Sequence, residues 1–182
     1  MFLPKRKANE EWLGVVIAVP EPYATRISRI RAKFGSQQDR LVVPHITLVP
    51  PISVAIDLRE AVLTHLQSIA DKFSPFQVSL CGLGSFHPIS PVHFLEVTEG
   101  ANSCAELAAS INDGPLSYQP RFPYHPHVTL AQGALGDRVK HIQELETELS
   151  HTCQTSWLVS GFRLDRVDES GNYSSMALFH FA

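Results

Sequence analysis

Pro44-His45-Ile46-Thr47-Leu48 returns, with a single exchange, as Pro126-His127-Val128-Thr129-Leu130. Two copies of His-x-Thr-Leu, each led by proline and each with a β-branched residue inside, arise by chance in well under about one in a thousand chains of ordinary composition. The copies stand about half a chain length apart. That spacing predicts two related lobes, each contributing one histidine and one threonine.

On a strand, residues i and i+2 share one face while their neighbours point to the other. Read as strands over Arg40–Pro50 and Pro126–Gln132, the two segments present His45 with Thr47 and His127 with Thr129 to one cleft. Ile46, Leu48, Val128 and Leu130 then enter the core. Imidazole has an ordinary pKa near neutrality, so a pair of histidines holds a base and an acid at the same pH. Threonine hydroxyls donate to phosphoryl oxygens without adding charge. In-line displacement at phosphorus needs attacking and leaving oxygens on opposite sides, and two pseudo-symmetric histidines supply that geometry.

On these two motifs the chain resembles the two-histidine (2H) phosphoesterase superfamily, which includes 2′-5′ RNA ligase-like proteins and 2′,3′-cyclic phosphodiesterases. The resemblance extends from the strand-helix segment Gly14–Phe34, through Val78–Val97, to the closing hairpin Trp157–Phe181. It implies His45 and His127 as catalytic residues, with neither metal nor cofactor, and Thr47 and Thr129 as substrate-binding residues. The implied substrate is a nucleotide or RNA end carrying a 2′,3′-cyclic phosphate, opened to a 2′-phosphomonoester. Ligase-named relatives also run the reverse direction. One departure is Ala131-Gln132-Gly133, where many relatives carry a basic residue, and it weakens the expected grip on extended RNA.

Other residues near the motifs give further expectations. Tyr124 and Phe122, just before the second motif, read equally as stacking on a base or as packing in the hydrophobic core, and Arg121 beside them is a candidate to meet phosphate. His125-Pro-His127 also fits a metal-ligand spacing, and with His45 it offers a three-histidine alternative of zinc or iron type. A nucleotide-phosphate-binding module without catalysis is the other alternative. Phe86 and His87 sit in a loop that either borders the cleft or is a plain connection, the second being favoured, and Arg163 with Arg166 reads as decoration of a late strand.

The chain has 182 residues, 44% of them hydrophobic and 18% charged, as in an ordinary globular protein of one domain. A net charge of −3 and a pI near 6.3 argue against gripping long nucleic acid by its backbone. Cys81, Cys104 and Cys153 lack any C-x-x-C spacing and read as reduced thiols of a cytoplasmic monomer. Trp12–Val19 reads as a buried strand, and no run reaches the length that spans a bilayer.

The remaining elements follow from periodicity and punctuation. Helices are expected over Glu21–Phe34, after a capping box of Asp57 and Glu60, after Ser103 with Glu106 as far as Gly114-Pro115, and over Asp137–Leu149. Strands are expected over Leu41–Val49, ended by Pro50-Pro51, then over Phe76–Cys81 and Val92–Val97 flanking a loop Gly82–Pro91. Two more run over Thr155–Val167 and Tyr173–Phe181 around a turn at Glu169–Asn172. The expected architecture is a single α+β domain over residues 1–182. Its two pseudo-symmetric lobes of mixed β-sheet carry outer helices around a central cleft.

Overall fold

Alternation in the first strand sets the plan: Leu13, Val15 and Ile17 are buried on one face of β1 (Glu10–Ala18) and enter the core. The computed structural model describes residues 3–35, 42–133, 144–145, 147, 149 and 155–182. After β1 come α1 (Tyr23–Phe34), β2 (His45–Ala55), a 3-10 turn (Ile56–Leu58) and α2 (Arg59–Ala70). Then follow β3 (Phe76–Ser85), β4 (Val92–Glu99), α3 (Ala101–Asn112), β5 (His127–Gln132), β6 (Thr155–Val159), β7 (Gly161–Val167) and β8 (Tyr173–His180).

The strands form two four-stranded sheets, ordered β2-β1-β7-β8 and β5-β4-β3-β6. The α+β class and the two-lobed plan hold. Every pairing among the described strands is antiparallel, so the expectation of mixed sheets is corrected. Both motif strands are edge strands, and β2 and β5 meet at the seam between the sheets. The helices cross over: α1 packs on β5, and α3 packs on β2. Ile27 and Ile30 of α1, Leu107 and Ile111 of α3, and Ile46, Leu48, Val128 and Leu130 of the motif strands join one buried apolar cluster.

Several boundaries differ from expectation for physical reasons. β2 does not stop at Pro50-Pro51. Its 11 residues face 9 in β1, and the excess is absorbed by irregularities opposite Leu13–Val16. The prolines sit in the first of these, on a sheet edge, where a missing N–H breaks no ladder. β3 continues through Gly82 to Ser85, which shortens the expected loop and carries Phe86 toward the seam. The expected strand Thr155–Val167 breaks at Ser160 into β6 and β7, which belong to different sheets.

Neither expected side-chain cap forms. The Arg59 N–H bonds the Ile56 carbonyl through the 3-10 turn, and Gly100, in the left-handed region at φ 80°, precedes α3 in place of a Ser103 cap. Cys81 is disulfide-bonded and Cys104 is free and buried, so three reduced thiols is not the observed state. Widely spaced cysteines carry no pairing signal in sequence. Cys153, Arg40, Leu41 and most of Asp137–Leu149 lie outside the described residues. Of that last segment Leu145 and Leu149 are helical and buried. No described helix is long and apolar enough to cross a membrane.

Candidate active site

The pairing register turns sequence alternation into a site. His45 lies opposite Ala18 and Thr47 opposite Val16 in the first sheet, while His127 lies opposite Glu96 and Thr129 opposite Phe94 in the second. Their neighbours Ile46, Leu48, Val128 and Leu130 are all buried at 1% exposure or less, which fixes the other face toward the seam. His45, Thr47, His127 and Thr129 consequently line one cleft of about 300 Å³. The expected four-residue constellation is assembled.

Both imidazoles are held alike. His45 Nδ1 stands 2.8 Å from the Val43 carbonyl, and His127 Nδ1 stands 2.7 Å from the His125 carbonyl. A carbonyl only accepts, so each Nδ1 carries the proton and donates. Each Nε2 is then the lone-pair nitrogen of the neutral ring, ready to take a proton or, once charged, to give one.

Their electrostatics differ. Burial lowers His45 from 6.5 to about 4, with Arg31, Arg163 and His127 adding repulsion against the Val43 hydrogen bond. Burial also lowers His127, and the charge of His125 pushes the same way. There the His125 carbonyl and the Glu96 carboxylate oppose the fall. An imidazole that stays neutral in weak acid and a second with an anion beside it make unequal partners.

Arg31, Phe86 and Tyr173 line the cleft, and of these Arg31 and Tyr173 are not singled out by motif reading. Arg31 of α1 is only 3% exposed, and its Nε and Nη1 donate to the carbonyls of Thr129 (2.8 Å) and Val42 (2.6 Å). One guanidinium thus ties the second motif strand to the approach of the first. Its sequence signal was available: Arg31 lies four residues after Ile27, on the apolar face of the helix. Phe86 stands edge-on to the His127 ring at 5.0 Å between centroids, and the Tyr173 ring tilts against His45 at 5.2 Å. Arg163 makes a two-pronged pair with fully buried Asp165, at 2.6 and 2.7 Å, so it is no surface decoration. The rim is the β7–β8 turn Ser170–Asn172, with Gly171 at φ 83°. Asp168 holds it by accepting from the Ser170 and Asn172 backbones and from the Asn172 amide.

Tyr124 is not brought to the cleft wall. Its hydroxyl donates to the Thr47 carbonyl at 2.9 Å, and its ring packs against the core. The three-histidine alternative is not assembled either. His125 Nε2 lies 3.0 Å from Glu96, and no group of three or more His, Cys, Asp or Glu among the described residues is arranged to hold a metal ion.

The sequence pattern of the 2′-5′ RNA ligase superfamily matches residues 19–170, a span that contains both His-x-Thr motifs. The chain belongs to the 2′-5′ RNA ligase superfamily. Among relatives of this superfamily member is a Bacillus cytotoxicus protein whose name marks it as an inferred phosphoesterase. It is 29% identical over 120 residues, covering 66% of this chain and 69% of that one. E. coli LigT in complex with 3′-AMP superposes with a TM-score of 0.70 at 19% identity, over 95% of this chain and 99% of that one. A Thermus thermophilus protein does so at 0.63 and 19%, over 93% and 97%. These structures share the fold.

Proposed function

We propose that the protein hydrolyses the 2′,3′-cyclic phosphate of a nucleotide or RNA end to a 2′-phosphomonoester by two-histidine general acid–base catalysis, without a metal. One imidazole Nε2 takes a proton from water as the water oxygen bonds to phosphorus. The other gives its Nε2 proton to O3′ as the P–O3′ bond breaks. Thr47 and Thr129 donate to the non-bridging oxygens, and the Phe86 and Tyr173 rings offer faces to the nucleoside.

The observation that carries this reading is the matched anchoring of both rings through Nδ1 on two facing edge strands. It leaves two proton-carrying nitrogens in one cleft, as in-line displacement requires. LigT has been seen with 3′-AMP, phosphate, NADP+ and ATP, which supports a nucleotide as the occupant of this fold's cleft. A net charge of −3, with Gln132 at the cleft, favours mononucleotides and short ends over extended RNA.

The test is turnover of 2′,3′-cyclic AMP by the wild type, His45→Ala and His127→Ala, with and without prolonged EDTA and with elemental analysis. Each substitution should lower turnover about a hundredfold or more. EDTA should leave the wild type unaffected. Near-wild-type turnover in either folded variant overturns the mechanism. Binding without turnover replaces it with a recognition module, and loss to EDTA restored by zinc or iron brings back the metal alternative.

A further inference from the structure

The two halves of the site superpose in plan but not in chemistry, and the difference sits at two matched positions. Opposite His45 stands Ala18; opposite His127 stands Glu96. Two residues before His45 the anchoring carbonyl belongs to Val43; two residues before His127 it belongs to His125. The two substituted positions touch one another, with Glu96 Oε2 lying 3.0 Å from His125 Nε2. Room for the carboxylate is built in. A Cβ at Gly84 would collide with Glu96 Oε1 and with the Phe94 ring, whose centroid lies 4.9 Å from that of His127.

We propose that Glu96, oriented by His125, is a positioning residue that assigns the acid role to His127 and leaves His45 the base. This rests on the two-histidine reading above. Hydrolysis then runs with water giving its proton to His45 Nε2 while O3′ takes the proton of His127 Nε2. Arg31, Arg163 and Glu96 favour this direction. Arg31 from α1 and Arg163 from β7 bear on His45, with Asp165 neutralising part of the Arg163 charge and the phenol of Tyr173 from β8 beside the ring. Glu96 from β4 and His125 from the approach to β5 bear on His127, the carboxylate favouring the imidazolium and a charged His125 opposing it. Its 3.0 Å contact makes His125 the holder of the carboxylate. A plain symmetric cleft would leave the roles to the orientation of the substrate alone.

The experiment compares kcat/KM against pH on 2′,3′-cyclic AMP for wild type, Glu96→Gln, Glu96→Asp and His125→Gln. NMR titration of the His127 Cε1–H runs alongside. Glu96→Gln should move the basic limb, where the acid loses its proton, to lower pH by roughly half a unit. His125→Gln keeps a donor for Glu96, so the limb should stay close to that of the wild type. Glu96→Asp, which keeps the charge, should return the limb toward wild type. Since the limbs belong to the coupled pair, the His127 resonance must shift in the same direction as the limb. An unmoved limb in folded Glu96→Gln, or a downward move in His125→Gln, overturns the role of Glu96. A wild-type profile with no two limbs strikes the two-histidine reading itself.

Discussion

Acidification should weaken this fold through His45, and a neutral replacement should remove much of that weakness. Burial brings His45 from 6.5 down to about 4, against the hydrogen bond to the Val43 carbonyl. Between those values the unfolded chain binds a proton here that the native state refuses, so stability falls as pH drops from about 6.5 to about 4. At about 1.4 kcal/mol per pKa unit the full difference is about 3 kcal/mol, and partial solvent access to the ring reduces it to roughly 2 kcal/mol. His45→Asn offers an amide donor to the Val43 carbonyl and does not titrate in this range. Urea unfolding of both proteins at about pH 7 and about pH 4 should show the wild type losing roughly 2 kcal/mol more than the variant. Carboxylates and His127 titrate in both, so their contributions largely cancel. If the two proteins lose the same stability within about 0.5 kcal/mol, burial does not hold His45 neutral, and its assignment as the base loses its ground.

Arg31→Met keeps the buried stem and strips the donors from the Val42 and Thr129 carbonyls. Stability should fall by about 3 kcal/mol and the melting temperature by roughly 6–12 °C, and calorimetry showing under about 1 kcal/mol would refute a seam held by this guanidinium. Tyr124→Phe should cost about 1 kcal/mol of stability and lower kcat with KM nearly unchanged; a raised KM at constant kcat would instead restore the stacking role, one of the two readings from sequence. Thr47→Val and Thr129→Val should each lower kcat/KM by roughly ten- to a hundredfold, the worth of one hydrogen bond to an anion. Steady-state kinetics indistinguishable from wild type would leave the threonines as strand formers.

What the sequence revealed was periodic and local. Alternation across His45–Leu48 and His127–Leu130 assigned faces correctly, because a strand's period of two leaves one choice once Ile46, Leu48, Val128 and Leu130 must be buried. What stayed hidden depends on pairings between distant segments. Pro50-Pro51 reads as a strand end until β2 is known to be an edge with irregular register. Ser160 looks like mid-strand until its two sides are found in different sheets. Tyr124 reads equally as a stacking or a core residue, and the position of the Thr47 carbonyl decides for the core. Arg31 is the instructive miss. An arginine on an apolar helix face is a cost without a partner, and its partners are carbonyls up to 98 residues away in sequence.

The positive charge this site brings to an anion is fixed before any substrate arrives. Arg31 is committed to two backbone carbonyls and Arg163 to a buried carboxylate, so neither side chain needs to reorganise around a phosphate. Their field repels a proton from His45, and on the proposed mechanism it also favours a dianionic transition state in the cleft. A basic side chain shortly after the second motif would perform only the second task and add affinity for further phosphates. With Gln132 at the cleft here, Arg31 is the cationic side chain among the described lining residues. Under the proposed function, that arrangement favours a single small phosphodiester over a continuous strand.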